Sequence, residues 1–464
     1  MDTLRRQPEA RAAILALALA MAWVTASAAA ARAEDLAEAW SIALHANFQL
    51  RASRQTTEAA GLDLSSSLRS RLPQIQTLNL EAFLTNPISV PGQSGQPKPA
   101  SSAQEAFTLS AVTASVPIYA GGKIRGTIEG NRARLGAARA DEFVTALDLK
   151  LDVARAYVDV LRTGRGVAVA RSSVASLSAQ SRDVSNLVRE GRGIRNDLLA
   201  AQVARANAQQ REIQARNRLS LAWAAYNRYL CRPMETVVPL VEMATDQPPA
   251  RPSLPRGVPA IDPLGIPDPR PIVPDEAEIE ALAQQAILSR PELASLAAQA
   301  AAQHADAVNE RARTRPQVSF MVANLYQNAR FLPTEADTGA AAFLMNWTLF
   351  DGGSSRRRAL AIEHRAAAQM SRRNDLASAI RLEVRSAWLT CRESESRVPV
   401  ARAAITQAEE NLRVARGRYL QQRGTNTEVL DAEAARVQSY DNYFNARYDA
   451  IIAGFELHRA VGDL

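Results

Sequence analysis

The stretch IYAGG at residues 118–122 recurs as LFDGG at residues 349–353, 231 positions later. Both copies end an apolar run with an aromatic residue and two glycines, and glycine permits the sharp backbone needed where a strand turns into a helix. At the same spacing, DLLAA at residues 197–201 recurs as EVLDA at residues 428–432. Several matches in one order at a constant spacing predict an internal duplication.

The two copies are unequal and are separated by a proline-rich segment. LPQI at residues 72–75 recurs as RPQV at 315–318, 243 positions later, so the first copy holds 12 extra residues between its Pro-Gln pair and its glycines. Residues 239–274 hold 11 of the 23 prolines, and proline lacks the donor that a helix needs. We therefore expect a first repeat at 34–238, an extended linker, and a second repeat at 275–464.

Each copy predicts one helix, two strands and then two long helices. The opening helices are expected at residues 37–72 and 276–315. The expected strands cover residues 74–85, 106–119, 317–326 and 340–350. Apolar and polar residues alternate in these stretches, as from Phe343 to Leu349, which is the period of a strand. Each stretch is long enough for a tilted membrane-crossing strand of roughly 9–11 residues, although the strands taken alone favour a soluble hairpin.

The helices that follow are too long for an ordinary globular core. Residues 122–188 contain no proline and predict a helix of about 100 Å at about 1.5 Å per residue. Apolar residues along it step by four and three, the heptad spacing of a coiled coil. The seams consist of Leu147, Leu151, Ala154, Val158 and Leu161 in the first copy and Ile380, Val384, Ala387 and Cys391 in the second. We expect coiled coils within the chain or between chains.

The four strands cannot span a membrane alone, because an open sheet edge leaves backbone groups unpaired in lipid. Closure requires strands from other copies of the chain, and two copies would supply eight strands while three would supply twelve. A barrel of eight strands is filled by its own side chains, whereas a larger barrel can hold an aqueous lumen.

Residues 1–33 predict a secretory signal peptide. Arg5, Arg6 and Arg11 precede an apolar run of about 13 residues, and small residues then offer a cleavage site before Glu34. An uncleaved anchor is the alternative. No later window holds 18 apolar residues without a charge, which excludes a helical membrane protein and leaves a β-barrel open.

Composition and charge exclude other classes of protein. The chain is 47% hydrophobic and 22% charged, too apolar for a disordered chain. Its net charge is +7, mostly from arginine, and we assign it no nucleic-acid partner. No nucleophile elbow, phosphate loop or metal-site spacing is found, so we expect neither an enzyme nor a cofactor. A disulfide between Cys231 and Cys391 is conceivable, but we favour two separate buried thiols.

The repeat, the Pro-Gln pair before the strands, the aromatic-x-Gly-Gly exit and the stretch from Tyr419 to Glu433 together carry a resemblance. Over essentially its whole mature length the chain resembles the TolC-like outer-membrane efflux protein family. The resemblance implies an α+β membrane protein that forms a homotrimer in outer-membrane lipid, with a twelve-stranded β-barrel continued by a long periplasmic α-helical coiled-coil barrel. The linker at 239–274 would lie in the belt around that tunnel.

The resemblance also implies the function of a passive exit duct in the outer membrane of a Gram-negative bacterium. A periplasmic adaptor (membrane fusion) protein and an inner-membrane pump, proton-driven or of the ABC type, would supply the substrate and the energy. The cargo, drug efflux or type I protein secretion, stays open. A soluble periplasmic coiled-coil scaffold or adaptor is the alternative function.

In that family, acidic residues near the second turn between the long helices constrict the periplasmic mouth. The resemblance places Glu428 and Asp431 on these positions and makes Asp197 the first-copy counterpart of Glu428. Tyr419 is the fourth expected gate residue. A solvated helix start, where acidic side chains favour the helix dipole, is the alternative for Glu428 and Asp431.

The turns themselves depart from the family pattern. The family's second-turn glycine falls on Gln422, and the arginine that latches the mouth in some members falls on Gly424. We expect the tips of the helix turns at Gly191, Arg192, Gly193, Arg423 and Gly424. Docking of the adaptor and plain solvated charge are the two alternatives for the basic residues there. The expected strand-to-helix motifs consist of Pro117, Tyr119, Gly121, Gly122, Phe350, Gly352 and Gly353.

Overall fold

The computed structural model describes residues 33–84, 105–243, 276–329 and 336–464. The expected signal peptide, the first extended loop between the strands and almost the whole linker lie outside these residues. The helices are α1 (Leu36–Ala46), α2 (Phe48–Arg69), α3 (Lys123–Arg189), α4 (Arg195–Tyr229), α5 (Glu276–Ser289), α6 (Pro291–Ala312), α7 (Ser354–Leu420) and α8 (Asn426–Val461). The strands are β1 (Gln74–Leu84), β2 (Glu105–Tyr119), β3 (Gln317–Ala329) and β4 (Ala336–Asn346).

The first expected helix is in fact two helices, α1 and α2, which break at Asn47. The Asn47 side-chain oxygen accepts hydrogen bonds from the main-chain N–H groups of Gln49 at 2.9 Å and Leu50 at 3.3 Å. Its side-chain amide donates to the carbonyl of Tyr229 at 3.1 Å. Asn47 therefore caps α2 as an N-cap residue does, and the prediction of one continuous helix at 37–72 is wrong.

The second opening helix is divided as well, into α5 and α6. Pro291 is the first residue of α6, a position where its missing N–H and its fixed φ favour a helix start. The residue before a proline is pushed away from helical geometry. A single helix over 276–315 was therefore also a wrong prediction, and Arg290 marks its break.

The four strands form one antiparallel sheet in the order β1-β2-β3-β4. Gln74 lies opposite Ser115, Tyr119 opposite Val318, and Gln317 opposite Asn346. The last strand ends at Asn346, so the prediction that β4 extends to residue 350 is wrong. The neighbouring strand starts at Gln317 behind a proline, and this leaves residues 347–350 without a ladder partner.

The long helices match the prediction. Helices α3 and α7 each contain 67 residues, and α4 and α8 contain 35 and 36. All five residues of the first predicted seam are buried, as are Ile380 and Val384 of the second, while Ala387 and Cys391 are half-buried. The predicted heptad spacing is thus confirmed for the whole first seam and for Ile380 and Val384 of the second. No helix in the described part of the chain is both long and apolar enough to cross a membrane.

The chain divides into two compact units. The first comprises Met1–Ala52, Phe143–Arg290 and Ser378–Leu464; the second comprises Ser53–Glu142 and Pro291–Ala377 and contains the sheet. The core of the first unit is built around the buried rings of Tyr157, Tyr226 and Tyr448. Beside it the buried carboxylate of Glu34 accepts hydrogen bonds from the Tyr226 hydroxyl at 2.6 Å and from Arg232 at 2.7 Å.

Candidate functional site

The first turn between long helices follows Arg189. Gly191 has a left-handed φ of +70°, and the N–H of Arg192 donates to the carbonyl of Leu187 at 2.9 Å. This is the hydrogen-bond pattern of a helix that ends at a left-handed residue. A Cβ on Gly193 would lie only 2.9 Å from the main-chain nitrogen of Val188, so the chain can fold back this closely only with glycine there.

The second turn has the same geometry but uses a different residue. Gln422 has a φ of +59°, and the N–H of Arg423 donates to the carbonyl of Arg418 at 2.8 Å. The expectation that Gly424 breaks the second helix is therefore corrected, because Gln422 occupies the left-handed position. Gly424 instead permits close packing, since a Cβ there would lie 3.1 Å from a Glu428 carboxylate oxygen and 3.3 Å from the Arg418 Cβ.

The two turns lie side by side and contact each other. The Gln422 side-chain amide donates to the carbonyl of Arg192 at 3.2 Å, and the Asn426 side-chain amide donates to the carbonyl of Asp197 at 3.1 Å. The structure thus brings together the tips that the sequence singled out separately.

Tyr419 and Asp197 form the central side-chain contact of this site. The Tyr419 hydroxyl donates to Oδ2 of Asp197 over 3.4 Å, and the tyrosine is only 6% exposed. Burial, together with the negative charge and the hydrogen bond of Asp197, raises the pKa of Tyr419 to about 12. The tyrosine therefore stays protonated and remains a hydrogen-bond donor at neutral pH.

Glu428 and Asp431 are exposed at the start of α8. The N–H of Glu428 donates to Oγ1 of Thr425 at 3.3 Å, and the Thr425 hydroxyl donates to the Glu428 carboxylate at 3.3 Å. This exchange resembles a capping box. Within one chain, Glu428 therefore stabilises the start of α8. The side chain of Asp197 accepts its hydrogen bond from Tyr419.

A buried polar network behind the turns was not anticipated from the sequence. Glu433 is 2% exposed and receives two hydrogen bonds from Arg436, at 2.8 Å and 3.1 Å. The Ser176 hydroxyl also donates to Glu433 at 2.8 Å, and Arg416 donates to the Ser176 oxygen at 2.9 Å. The network joins α3, α7 and α8. The spacing of three residues between Glu433 and Arg436 on one helix is the signal that could have revealed it.

A second polar contact connects the same helices. The Gln180 side-chain amide donates to the side-chain oxygen of Asn426 at 3.1 Å, and both residues are buried. Val184 on α3, Leu412 on α7 and Val429 on α8 belong to one buried apolar cluster that also contains Tyr419. The turns are therefore anchored on a packed base and are not isolated loops.

The strand-to-helix motifs share one backbone conformation. Gly121 and Gly122 have φ values of +61° and +98°, and Gly352 and Gly353 have values of +67° and +76°. A Cβ on Gly121 would lie 2.8 Å from the Cβ of Arg315. Of the aromatic residues before the glycines, Tyr119 is half exposed and Phe350 is 86% exposed. Pro117 lies in β2, where the pairing with β3 shifts register.

The two cysteines are separate thiols. Cys231 is exposed and has a left-handed φ of +54°, so the expectation of two buried thiols is wrong for it. It directly follows the end of α4, where it occupies the left-handed position after the helix. Cys391 is half-buried on α7.

Comparison with known proteins supports the resemblance seen in the sequence. Residues 282–463 match the model of the outer membrane efflux protein family. The match covers 182 of the 464 residues and confirms the resemblance to TolC-like outer-membrane efflux proteins. Proteins of that family are outer-membrane channels and not enzymes. Sequence comparison with curated proteins gives no match.

Solved structures of outer-membrane proteins share the fold of this chain. CusC, whose crystal structures concern folding and transmembrane channel formation, is 16% identical with a TM-score of 0.76, over 92% of each chain. The CmeC outer membrane channel of Campylobacter jejuni is 13% identical with a TM-score of 0.75, over 92% of this chain and 85% of CmeC. VceC of Vibrio cholerae is 15% identical with a TM-score of 0.71, over 92% of this chain and 96% of VceC.

Proposed function

We propose that this outer membrane efflux protein is the homotrimeric exit duct of a tripartite export system. The single observation that carries the proposal is the four-stranded sheet, whose order leaves β1 and β4 as edges. In lipid such edges must be paired. Three copies joined edge to edge supply twelve strands, enough to enclose an aqueous lumen.

The outer faces of two long helices support assembly with further copies. Helix α4 exposes Leu199, Val203, Ile213 and Leu221, and helix α7 exposes Leu382, Leu389, Val400 and Val414. Exposed apolar rows of this extent mark protein–protein contacts. Neighbouring copies would bury these rows in a helical barrel that lies in the periplasm.

We also propose that the mature chain is a duplication, with repeats at 34–238 and 275–464, a linker at 239–274 and a signal peptide at 1–33. Left-handed residues that end helices support this division. Gly191 recurs as Gln422 and Cys231 recurs as Gly462, both 231 positions apart. Equivalent helix ends at the spacing of the sequence repeat are expected of two copies of one unit.

The paired turns are proposed as the periplasmic gate. The hydrogen bond between Tyr419 and Asp197 would hold the two turns of one subunit together in the closed state. Glu428 and Asp431 are exposed near it, and threefold symmetry would repeat each carboxylate three times around the mouth, favouring cations. Arg192 and Arg423 at the tips would face the periplasmic adaptor, which connects the duct to an inner-membrane pump.

The assembly is tested by fractionation of cells that express the full chain. We expect the protein in the outer membrane and a trimer that migrates intact until the sample is heated. A monomer that is soluble without detergent would contradict the duct and favour a periplasmic scaffold. Drug susceptibility and protein secretion, measured in parallel after deletion of the gene, distinguish drug efflux from type I secretion.

A further inference from the structure

All four strands meet their helices at one end of the sheet. Gln74 begins β1 and Tyr119 ends β2, while Gln317 begins β3 opposite Asn346, the last residue of β4. The segments that follow or precede these residues therefore emerge at the same end of the sheet. Two kinds of side chain are exposed at this end, one apolar and one basic.

The first kind is apolar and aromatic. Five such side chains are exposed here: Leu72, Tyr119, Trp347, Leu349 and Phe350. The Trp347 indole N–H donates to the carbonyl of Thr314 at 3.1 Å, which holds the ring at this end of the sheet. Aromatic residues with one polar contact are typical of the level where a membrane meets water.

The second kind is basic and lies next to the first in the sequence. We define the junction cluster as Arg71, Lys123, Arg313, Arg315, Arg356, Arg357 and Arg358. All seven side chains are exposed. Glu310 lies 3.3 Å from Arg313 and 3.5 Å from Arg358. Among the described residues, no carboxylate lies within ion-pair distance of Lys123, Arg356 or Arg357.

Part of the junction cluster surrounds a cavity of about 490 Å³. Lys123, Arg313 and Arg358 line it together with the polar side chains of Gln317, Asn346, Thr348, Ser354 and Ser355. The one carboxylate of the lining belongs to Asp351, and it already accepts hydrogen bonds from the N–H groups of Gly353 at 2.9 Å and Ser355 at 2.8 Å. The lining therefore carries three cations against one carboxylate; Arg313 and Arg358 share an ion pair with Glu310, and Lys123 is the cation outside that pair.

We propose that the junction cluster binds the headgroups of anionic phospholipids in the periplasmic leaflet of the outer membrane. The apolar residues at this end of the sheet would contact acyl chains, and the cations of the junction cluster would contact the phosphates. Basic residues beside a membrane surface attract anionic lipid in this way. The proposal rests on the proposed function only in that the sheet must lie in a membrane.

Trp347 provides a direct probe. The purified full chain is reconstituted into phosphatidylcholine vesicles that contain a small fraction of brominated phosphatidylglycerol, and bromine quenching of tryptophan fluorescence is measured. A Trp347→Phe variant supplies the background from the other tryptophans. Brominated phosphatidylcholine in separate vesicles reports insertion alone.

The variants are matched on one helix. Arg356→Gln with Arg357→Gln removes two cluster charges, and Arg372→Gln with Arg373→Gln removes an adjacent pair 16 positions further along α7, of which Arg372 is exposed and Arg373 is half-buried. Lys123→Gln tests the cavity itself. We expect enrichment of phosphatidylglycerol to fall about fivefold for each cluster charge removed, the equivalent of about 1 kcal/mol per charge. The matched control pair should leave it unchanged.

Several results would overturn the proposal. One is equal quenching of wild type and cluster variants by brominated phosphatidylglycerol, and another is an equal loss in the control pair. Reversal by inorganic phosphate at constant ionic strength would indicate a free-anion site and would exclude a lipid site. Normal quenching by brominated phosphatidylcholine in these cases shows that the membrane-inserted sheet stands. Absence of quenching by both lipids would instead contradict the proposed function.

Discussion

The hydroxyl of Tyr419, near the end of α7, lies 3.4 Å from Oδ2 of Asp197 at the start of α4. The contact joins residues 222 positions apart across the paired turns. Because both turns end their helices with left-handed residues, the tips are held in fixed positions and the contact can act as a latch between them.

Removal of the latch should favour the open state. Tyr419→Phe deletes the hydroxyl and keeps the ring, and a hydrogen bond to a charged group contributes about 1.5 kcal/mol, roughly tenfold in the balance between closed and open states. The occupancy of high-conductance states in planar bilayers measures this. Tyr440→Phe, which removes the hydrogen bond between Tyr440 and Glu409 away from the turns, is the control. Equal conductance in Tyr419→Phe and wild type would refute the latch.

Stability should fall at alkaline pH. Burial raises the pKa of Tyr448 and of Tyr419 to about 12, and it raises the pKa of Tyr157 and Tyr226 as well. In the unfolded chain these groups titrate near pH 10. Their contribution is therefore fully present below about pH 10 and is lost as the pH rises towards 12.

Chemical denaturation at stepped pH, followed by helical circular dichroism, measures this loss. The Tyr419→Phe variant should lose less stability than wild type over the same interval, because it lacks one of the titrating groups. A wild-type stability that stays constant between pH 10 and 12 would show that these buried tyrosines do not stabilise the fold through their protonated hydroxyls.

The buried pair of Glu433 and Arg436 should matter far more than a surface pair. Glu433→Ala leaves Arg436 without its partner in a buried site, which costs about 3–5 kcal/mol. Glu410→Ala, which removes an exposed ion pair with Arg413 at the same spacing of three residues, should have no measurable effect. Urea unfolding of the two variants measures the contrast, and equal stability would show that the network does not support the turns.

The turn residue Gln422 should be open to improvement. A non-glycine residue in the left-handed region is strained, whereas glycine is not. We expect Gln422→Gly to stabilise the protein by about 1 kcal/mol and the reverse change, Gly191→Gln, to destabilise it by a similar amount. Thermal unfolding measures both, and a loss of stability in Gln422→Gly would show that the contact from Gln422 to Arg192 outweighs the strain.

Periodic patterns predicted the elements but not the contacts that end them. The heptad seam through Ala154 and Val158 identified α3 because its apolar spacing depends on sequence alone. The break at Asn47 was missed although asparagine is a favoured N-cap residue, because no local pattern marks the distant contact with Tyr229 that fixes it. Gln422 gave no turn signal for a related reason: glutamine has no local preference for left-handed geometry, and the packed base beneath the turn imposes it.

We expect copies of this chain to form a gated duct through a membrane. The current through a planar bilayer, recorded after addition of the purified full chain, tests this most directly. It should show discrete cation-selective steps, with cation preference reduced when Glu428→Gln and Asp431→Asn are combined. The gated duct would be contradicted if the trimer inserts into the bilayer but passes no current, both as wild type and as the Tyr419→Phe variant.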